Sequence, residues 1–422
     1  MPLPKTHILL LALVIAVLLA VPGRAGLGGE IIFLHYWTDA LSGGIDEMAS
    51  AYNRSHPEQQ VRAIGFKHES FKKGIVPMLS NEGAPALFSY WAGARTRSMV
   101  ENDLIAPIDR AWNEAGLDKR FPLFIRKACR YKGHQYALPL TLHSVGFFYN
   151  KAIFQKYGLR PPESWQAFLK LCVTLRDKGV APIALGCRDG WPAQYWFDFL
   201  LVRTAGPDYR ERLMSGRAFY DDPEVTKTFE LWQQLLDAHY FNEQPVPLSW
   251  AEAAGLVHSG QAAMTLMGTW IIGHFEGQMG WRAGIDFDYF PFPEIAPDVP
   301  TVSLGVIDVM LVARNGIPDK VDKVLAYFSE IGPQEEMSRG SGALAPSRDV
   351  PTSFYTPLQQ RIMNDMRNAE RWQTCYDLAT PPAVAALGLH AFKQFVATPS
   401  DIRTIHSRLD AMSRKLFSAG PS

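Results

Sequence analysis

Two hydrophobic periods alternate along the first ninety residues. Residues 30–38, "EIIFLHYWT", are a nearly continuous apolar run of strand length. Residues 43–56 then place Ile45, Met48, Ala49 and Tyr52 at helical spacing, and Pro57 closes that helix. The cycle repeats with a strand at 60–66, a helix at 71–79 containing Pro77, and a strand at 85–91, "PALFSYW". Strand, helix, strand, helix, strand with short connections predicts a parallel sheet flanked by helices. Ligands of such sheets bind beyond the carboxyl ends of the strands. Trp37 and Trp91 stand at two of those ends.

The pattern changes at residues 131–150, "YKGHQYALPLTLHSVGFFYN", which read as a hairpin-like pair of extended runs and a further strand, stiffened by Pro139. A helix follows with Ser164 as N-cap, an apolar face from Trp165 to Leu175, and Gly179 as its stop. Residues 180–186 read as a strand; 191–214, 223–240 and 250–260 as helices. Short strands follow at 262–268 and 286–293, then a long apolar run at 302–313 and a helix at 319–331. The tail is expected to be helical from about Pro357. No internal repeat or low-complexity segment interrupts the chain.

The length of 422 residues exceeds what one core usually supports, so two domains are expected. At the N-terminus, Lys5 precedes an apolar run from Ile8 to Val21 and the small residues of "PGRAG". This predicts a signal peptide over residues 1–25, cut after Ala25. No cysteine follows the run, so a lipid anchor is not expected, and the mature chain is expected to be exported to the periplasm and soluble. Its charge, 40 basic against 42 acidic residues once Lys5 and Arg24 are removed, gives no reason to expect nucleic acid as a partner. The cysteines Cys129, Cys172, Cys187 and Cys375 fit no zinc spacing. Export permits up to two bridges, with Cys187–Cys375 the first expected. Four reduced thiols are the alternative.

Eleven tryptophans is a high count for this length. Flat aromatic rings at strand ends offer rigid apolar faces on which a ligand can pack. Trp37, Trp91, Trp191 and Trp270 stand at expected strand ends or loop starts, with Trp250 and Trp372 less clearly placed. Trp112, Trp165 and Trp232 lie on helices with apolar periodicity and are assigned to the core.

Several stretches carry a resemblance. They are "IIFLHYWTD", "APALFSYWAGARTRSMVENDLIAPID", "LPLTLHSVGFFYNKAIFQKYGLRPPESWQAFL", "HSGQAAMTLMGTW", "YFPFP", and "SLGVIDVMLVARNGIPDKVDKVLAYFSEI" with "GALAPSRD". In this order, spanning nearly all of the mature chain, they resemble extracellular solute-binding proteins of bacterial ABC importers, the sugar-binding group that is maltose-binding-protein-like. Ala86 departs from the family, which commonly has aspartate there.

The resemblance implies an α/β, type II periplasmic-binding-protein fold with two hinged lobes and a ligand cleft between them. Lobe I would comprise residues 26–140 plus 308–344, and lobe II 145–304 plus 349–422. Hinge crossings would lie near 139–144, 305–308 and 344–348. It implies sugar-stacking roles for Trp270, Trp91 and one of Tyr195 and Trp196, with Gly268 keeping the strand end beside Trp270 open. Asp39 and Arg95 match sugar-binding groups. His143 stands where a relative has glutamate, which points to a different sugar. Arg348 on the third crossing could clamp a hydroxyl, carboxylate or sulfonate. Trp37, Trp191 and Trp372 complete the expected site. The partners implied are a sugar or sugar derivative and an inner-membrane permease, for a monomeric protein without cofactor or metal.

No P-loop, G-x-S-x-G, H-E-x-x-H or EF-hand pattern is present. The alternatives are a binding protein for a polyol, glycerophosphodiester or sulfonated sugar, and a secreted carbohydrate-active enzyme. The enzyme would need two carboxylates facing one glycosidic bond.

Overall fold

The computed structural model describes residues 30–80, 84–314 and 318–419; the expected signal peptide, residues 1–25, lies outside the described residues. The N-terminal alternation forms as the pattern predicts. Strands β1 (Ile31–His35), β2 (Val61–Gly65) and β3 (Leu87–Trp91) are parallel, with helices Gly43–Ser55 and His68–Leu79 between them. The first helix buries Ile45, Met48, Ala49 and Tyr52, the residues whose spacing announced it. A short strand β4 (Ile105–Ala106) follows.

The region 131–150 differs from its reading. The hairpin is shorter and earlier, β5 (Arg130–Tyr131) with β6 (His134–Gln135). Its turn residues Lys132 (φ 48) and Gly133 (φ 87) are both left-handed, as a tight two-residue hairpin requires. Then β7 (Ala137–Asn150) runs fourteen residues without a break, every one buried. Pro139 lacks an N–H and would spoil a regular ladder. The register slips there: Thr141 faces Asp308 but Pro139 faces Val309, leaving Leu140 as the extra residue.

The remaining strands are β8 (Ala181–Ala184), β9 (Ala262–Gly268), β10 (Phe287–Phe290), β11 (Val302–Ala313) and β12 (Arg371–Thr374). The order is β2-β1-β3-β11-β7-β9-β8, with β4 and β12 on β11 and β10 on β7. The sheet has two halves joined by its long strands. Residues 137–144 of β7 pair with β11, whereas residues 145–150 pair with β9 and β10. A third segment lies beside them, because Leu142 and Leu344 exchange both backbone hydrogen bonds at 2.8 and 2.9 Å.

Helices cover both halves. Trp112, Trp165 and Trp232 are buried in the core, as assigned. The helix Gln194–Met214 kinks at Gly206 (φ 82), before Pro207, which cannot donate to the helical ladder. The tail holds helices Pro357–Asn368, Pro382–Ala397 and Ile402–Ser418, together with β12, a polar strand absent from the helical reading. All four cysteines are free and buried, so the expected Cys187–Cys375 bridge is not formed. Cys187 Sγ instead faces the Pro245 carbonyl at 3.7 Å. Among the described residues no helix is long and apolar enough to cross a membrane.

Candidate functional site

A cavity of about 610 Å³ opens where the two halves of the sheet meet, within the ~300–1,000 Å³ of typical small-molecule sites. Parallel strands deliver their carboxyl ends to this side, and the helices after them begin there. Tyr36 and Trp37 follow β1, Trp91 ends β3, and His68 and Lys72 occupy the first turns of the helix His68–Leu79. Opposite them stand Trp191, Gln194 and Tyr195 at the start of the kinked helix, Trp250 and Trp270 at the starts of helices Trp250–His258 and Trp270–Gly277, and Asp377 on the short helix Tyr376–Ala379.

The aromatic lining is continuous. Tyr36 stacks on Trp91 at 4.5 Å between centroids, and His68 meets Trp91 edge-on at 5.1 Å. His68 reaches Trp191 across the cavity at 6.3 Å, and Trp191 meets Trp270 at 5.9 Å. His143 closes the far end against Trp270 at 5.2 Å. Further along the helix of Trp270, His274 meets Trp250 at 4.9 Å.

Gly268 explains how Trp270 is held. A Cβ at residue 268 would lie 2.1 Å from Cζ3 and 2.2 Å from Cη2 of Trp270. The indole therefore folds back over the end of its own strand, with the glycine backbone against the ring. The openness expected at Gly268 is filled by Trp270 itself.

The polar groups form two networks. In the first, Asp308 accepts from Tyr36 Oη at 2.7 Å, from His143 Nε2 at 3.0 Å and from Thr141 Oγ1. With the proton on Nε2, His143 Nδ1 accepts the Thr269 hydroxyl at 2.8 Å. This chain ties β1, β7, β11 and the start of the Trp270 helix together at the join between the halves. Burial, reinforced by the Asp308 charge, pushes the Tyr36 phenol well above its ordinary pKa, so it stays a neutral donor. In the second network, Asp377 Oδ2 accepts from Lys72 Nζ and from Arg95, each at 3.3 Å. Burial alone would raise the Asp377 carboxyl, but the two adjacent cations outweigh it and hold it below the ordinary carboxylate value. The segment carrying Asp377 is fixed from behind. Gln194 Oε1 accepts its backbone N–H at 2.8 Å, and Asp198, ion-paired with Arg210 at 2.7 Å, accepts that of Tyr376 at 2.6 Å. No cluster of three or more potential metal ligands occurs among the described residues.

The structure brings Trp37, Asp39, Trp91, His143, Trp191, Tyr195 and Trp270 together on the cavity wall. Trp91 offers little free face, since Tyr36 covers one side and Lys72 Nζ lies 5.9 Å from its ring centre. Arg95 lies behind the wall, bonded to Asp377. Three further expected residues lie outside the cavity lining. Trp196 is buried between Phe147, Phe241 and Phe292, because the helix turns it about 100° from Tyr195. Arg348 donates to the Phe121 carbonyl at 3.1 Å. Trp372 packs on Phe124 at 5.3 Å. Sequence reasoning missed Tyr36, His68, Lys72, Gln194 and Asp308. One signal was available: Asp308 is the single charged residue in the apolar run 302–313.

Comparison with known proteins agrees with this architecture. An uncharacterized ABC transporter extracellular-binding protein of Pyrococcus horikoshii is 28% identical over 403 residues, covering 92% of this chain and 88% of the relative. A probable sugar-binding periplasmic protein of Brucella melitensis is 25% identical over 305 residues, covering 69% and 70%. Among solved structures, the bacterial solute receptor AcbH, described as preferring β-D-galactopyranose, superposes with a TM-score of 0.85 at 24% identity, over 92% of this chain and all of that one. A chitin oligosaccharide binding protein gives 0.84 at 21% identity, over 94% and 100%. These likenesses fix the fold as the two-lobed, hinged α/β architecture with its cleft between the lobes. The profile of bacterial extracellular solute-binding proteins matches residues 38–335, and the chain belongs to that family.

Proposed function

We propose that the protein is the solute-binding component of an ABC importer, which captures a sugar or oligosaccharide in the cleft and delivers it to a membrane permease. The observation that carries this reading is the aromatic wall, with Trp270 backed by Gly268, set beside the carboxylates and amide of Asp308, Asp377 and Gln194. Flat rings suit the C–H faces of a pyranose, and carboxylate and amide oxygens suit its hydroxyls. A galactopyranose receptor and a chitin oligosaccharide receptor share the fold, which supports the carbohydrate class.

The division into lobe I (26–140 plus 308–344) and lobe II (145–304 plus 349–422) is supported by three adjacent crossings, where β7, β11 and Leu344 lie side by side. Family membership supports export. Periplasmic residence after cleavage at Ala25, with neither lipid anchor nor oligomer, completes the reading.

Thermal shift against neutral mono- to trisaccharides, followed by calorimetry on those that bind, tests it. At least one should bind with a Kd near micromolar, about −8 kcal/mol. Trp270→Ala should weaken that affinity at least tenfold while preserving the fold. If no member of the panel binds, or if Trp270→Ala leaves the affinity unchanged, the reading fails.

A further inference from the structure

The charges around the cleft are unequal. Five carboxylates line it, from Asp39, Glu69, Asp189, Asp308 and Asp377, against the cations Lys67, Lys72 and Arg188. Those cations are placed so as to be of little use to an anion. Lys67 is exposed at the rim. Arg188 is bonded to Glu252 at 3.0 Å, with half of each side chain in water. Lys72 is the deep one, with 14% of its side chain exposed, and its ammonium is held by Asp377. Arg95, just behind, is held by the same Asp377 oxygen. An anionic ligand would have to compete with Asp377 for both cations while facing Asp308 and Asp39. Like charges brought together in a partly desolvated site are costly. A neutral hydroxyl meets no such penalty and can donate to any of these carboxylates.

Resting on the sugar-binding reading, we propose that Asp377 is a specificity-determining residue: by sequestering Lys72 and Arg95 it makes the cleft select uncharged sugars and reject their acidic counterparts. The acidic classes, uronic acids and sulfonated or phosphorylated sugars among them, are thereby excluded from the cargo. The converse also follows. Neutralising Asp377 without changing its shape frees Lys72 toward the cleft, with the Arg95 charge just behind it, and opens the cleft to a carboxylate.

Isothermal titration with matched pairs that differ only at C6, D-galactose with D-galacturonate and D-glucose with D-glucuronate, tests this. In the wild type the acid should bind at least tenfold more weakly than its neutral partner. In Asp377→Asn the ratio of acid to neutral affinity should rise at least tenfold, about 1.4 kcal/mol, and the gained binding should weaken with salt. Lys72→Met in the Asp377→Asn background should remove most of that gain, and Lys72→Met alone should not improve acid binding. Equal wild-type affinity for an acid and its neutral partner overturns the proposal whether or not any variant folds. So does an unchanged ratio in a folded Asp377→Asn that still binds the neutral sugar. Failure of every neutral sugar, in these pairs and in the wider panel, overturns instead the sugar-binding reading beneath it.

Discussion

Gly268→Ala is a substitution that touches no ligand and should nonetheless impair binding. The added Cβ would stand 2.1, 2.2 and 2.5 Å from Cζ3, Cη2 and Cε3 of Trp270. Carbon atoms pack at about 3.5–4.0 Å, so the ring must withdraw by about 1.4 Å or more. It cannot do so freely, because His143, Trp191 and Tyr195 surround it at centroid distances of 5.2, 5.9 and 6.4 Å. The indole is therefore driven toward the space a sugar face would occupy. Overpacking of this kind costs about 1–3 kcal/mol. An aromatic contact is worth about 0.5–1.5 kcal/mol beyond the area it buries. A tenfold or larger rise in Kd for the tightest neutral sugar is expected.

The assay is a double-mutant cycle by calorimetry. Trp270→Ala removes the ring that the added methyl group would strike, so combining it with Gly268→Ala should change the affinity little further, and the two effects should fall short of additivity by about 1 kcal/mol or more. Melting temperature is the weaker readout, because replacing glycine by alanine can stabilise by about 0.4–1 kcal/mol through the unfolded chain and mask part of the strain. A wild-type Kd in Gly268→Ala, or additive effects in the cycle, would refute the reasoning, since either would mean that the ring does not bear on the ligand from its seat over Gly268.

Trp196→Ala should cost about 3–5 kcal/mol in denaturant unfolding, as for other large buried aromatics, while the folded fraction keeps its sugar affinity within about twofold; a selective loss of affinity would put Trp196 in the cleft after all. Burial lowers the His35 pKa from 6.5 to about 4, so the unfolded chain takes up its proton first as pH falls. The associated stability, about 3 kcal/mol, is present above pH 6.5 and lost between about 6.5 and 4; urea titrations across that range should show a shallower pH dependence for His35→Phe. Asp308→Ala removes the acceptor shared by Tyr36, Thr141 and His143. Tyr36 keeps the Tyr90 carbonyl at 3.2 Å, and Thr141 and His143 keep each other at 3.2 Å, so the cost should be that of about one unsatisfied buried group, about 1–3 kcal/mol, with Asp308→Asn milder; no loss in chemical denaturation would show that the network contributes little.

What the sequence revealed was what short-range pattern encodes. The alternation of periods located β1 to β3 and their helices, and the tryptophans at strand ends led to the cleft. Trp270 and its glycine were legible as a pair because only Thr269 separates them. What lay hidden depends on contacts across hundreds of residues. Tyr36 and Asp308 are 272 positions apart, and Lys72 and Asp377 are 305 apart, so no local pattern connects them. Tyr195 and Trp196 were equally apolar neighbours, and only the rotation of their helix sends one to the cavity and the other to the core. Pro139 made a continuous strand read as two, since the slip that accommodates it depends on the partner strand. The strand β12 was missed because its residues, "RWQT", are mostly polar and pair only along a sheet edge.

The position of the two networks bears on how the cleft can work. The segments of β7, β11 and Leu344 bonded side by side form a short strip of sheet, which, if it is the hinge, would bend as one unit. The Asp308 network sits on that strip and reaches Thr269, next to Trp270, so the residue at the bend and the platform for the ligand share one chain of hydrogen bonds. The Asp377 network sits away from the strip and joins helices from opposite sides of the cavity. In a cleft that closes on its ligand, contacts of this second kind would favour closure with or without ligand, and they would have to stay weak for closure to report occupancy. Moving such an equilibrium from 1:99 to 99:1 takes about 5.5 kcal/mol of differential affinity, roughly two-thirds of a micromolar binding free energy of about −8 kcal/mol. An ion cluster of two cations on one carboxylate oxygen, with a like-charge repulsion built into it, fits that requirement better than a fully matched pair. Most of the closing free energy would then be left to a ligand that bridges the aromatic rings of both walls.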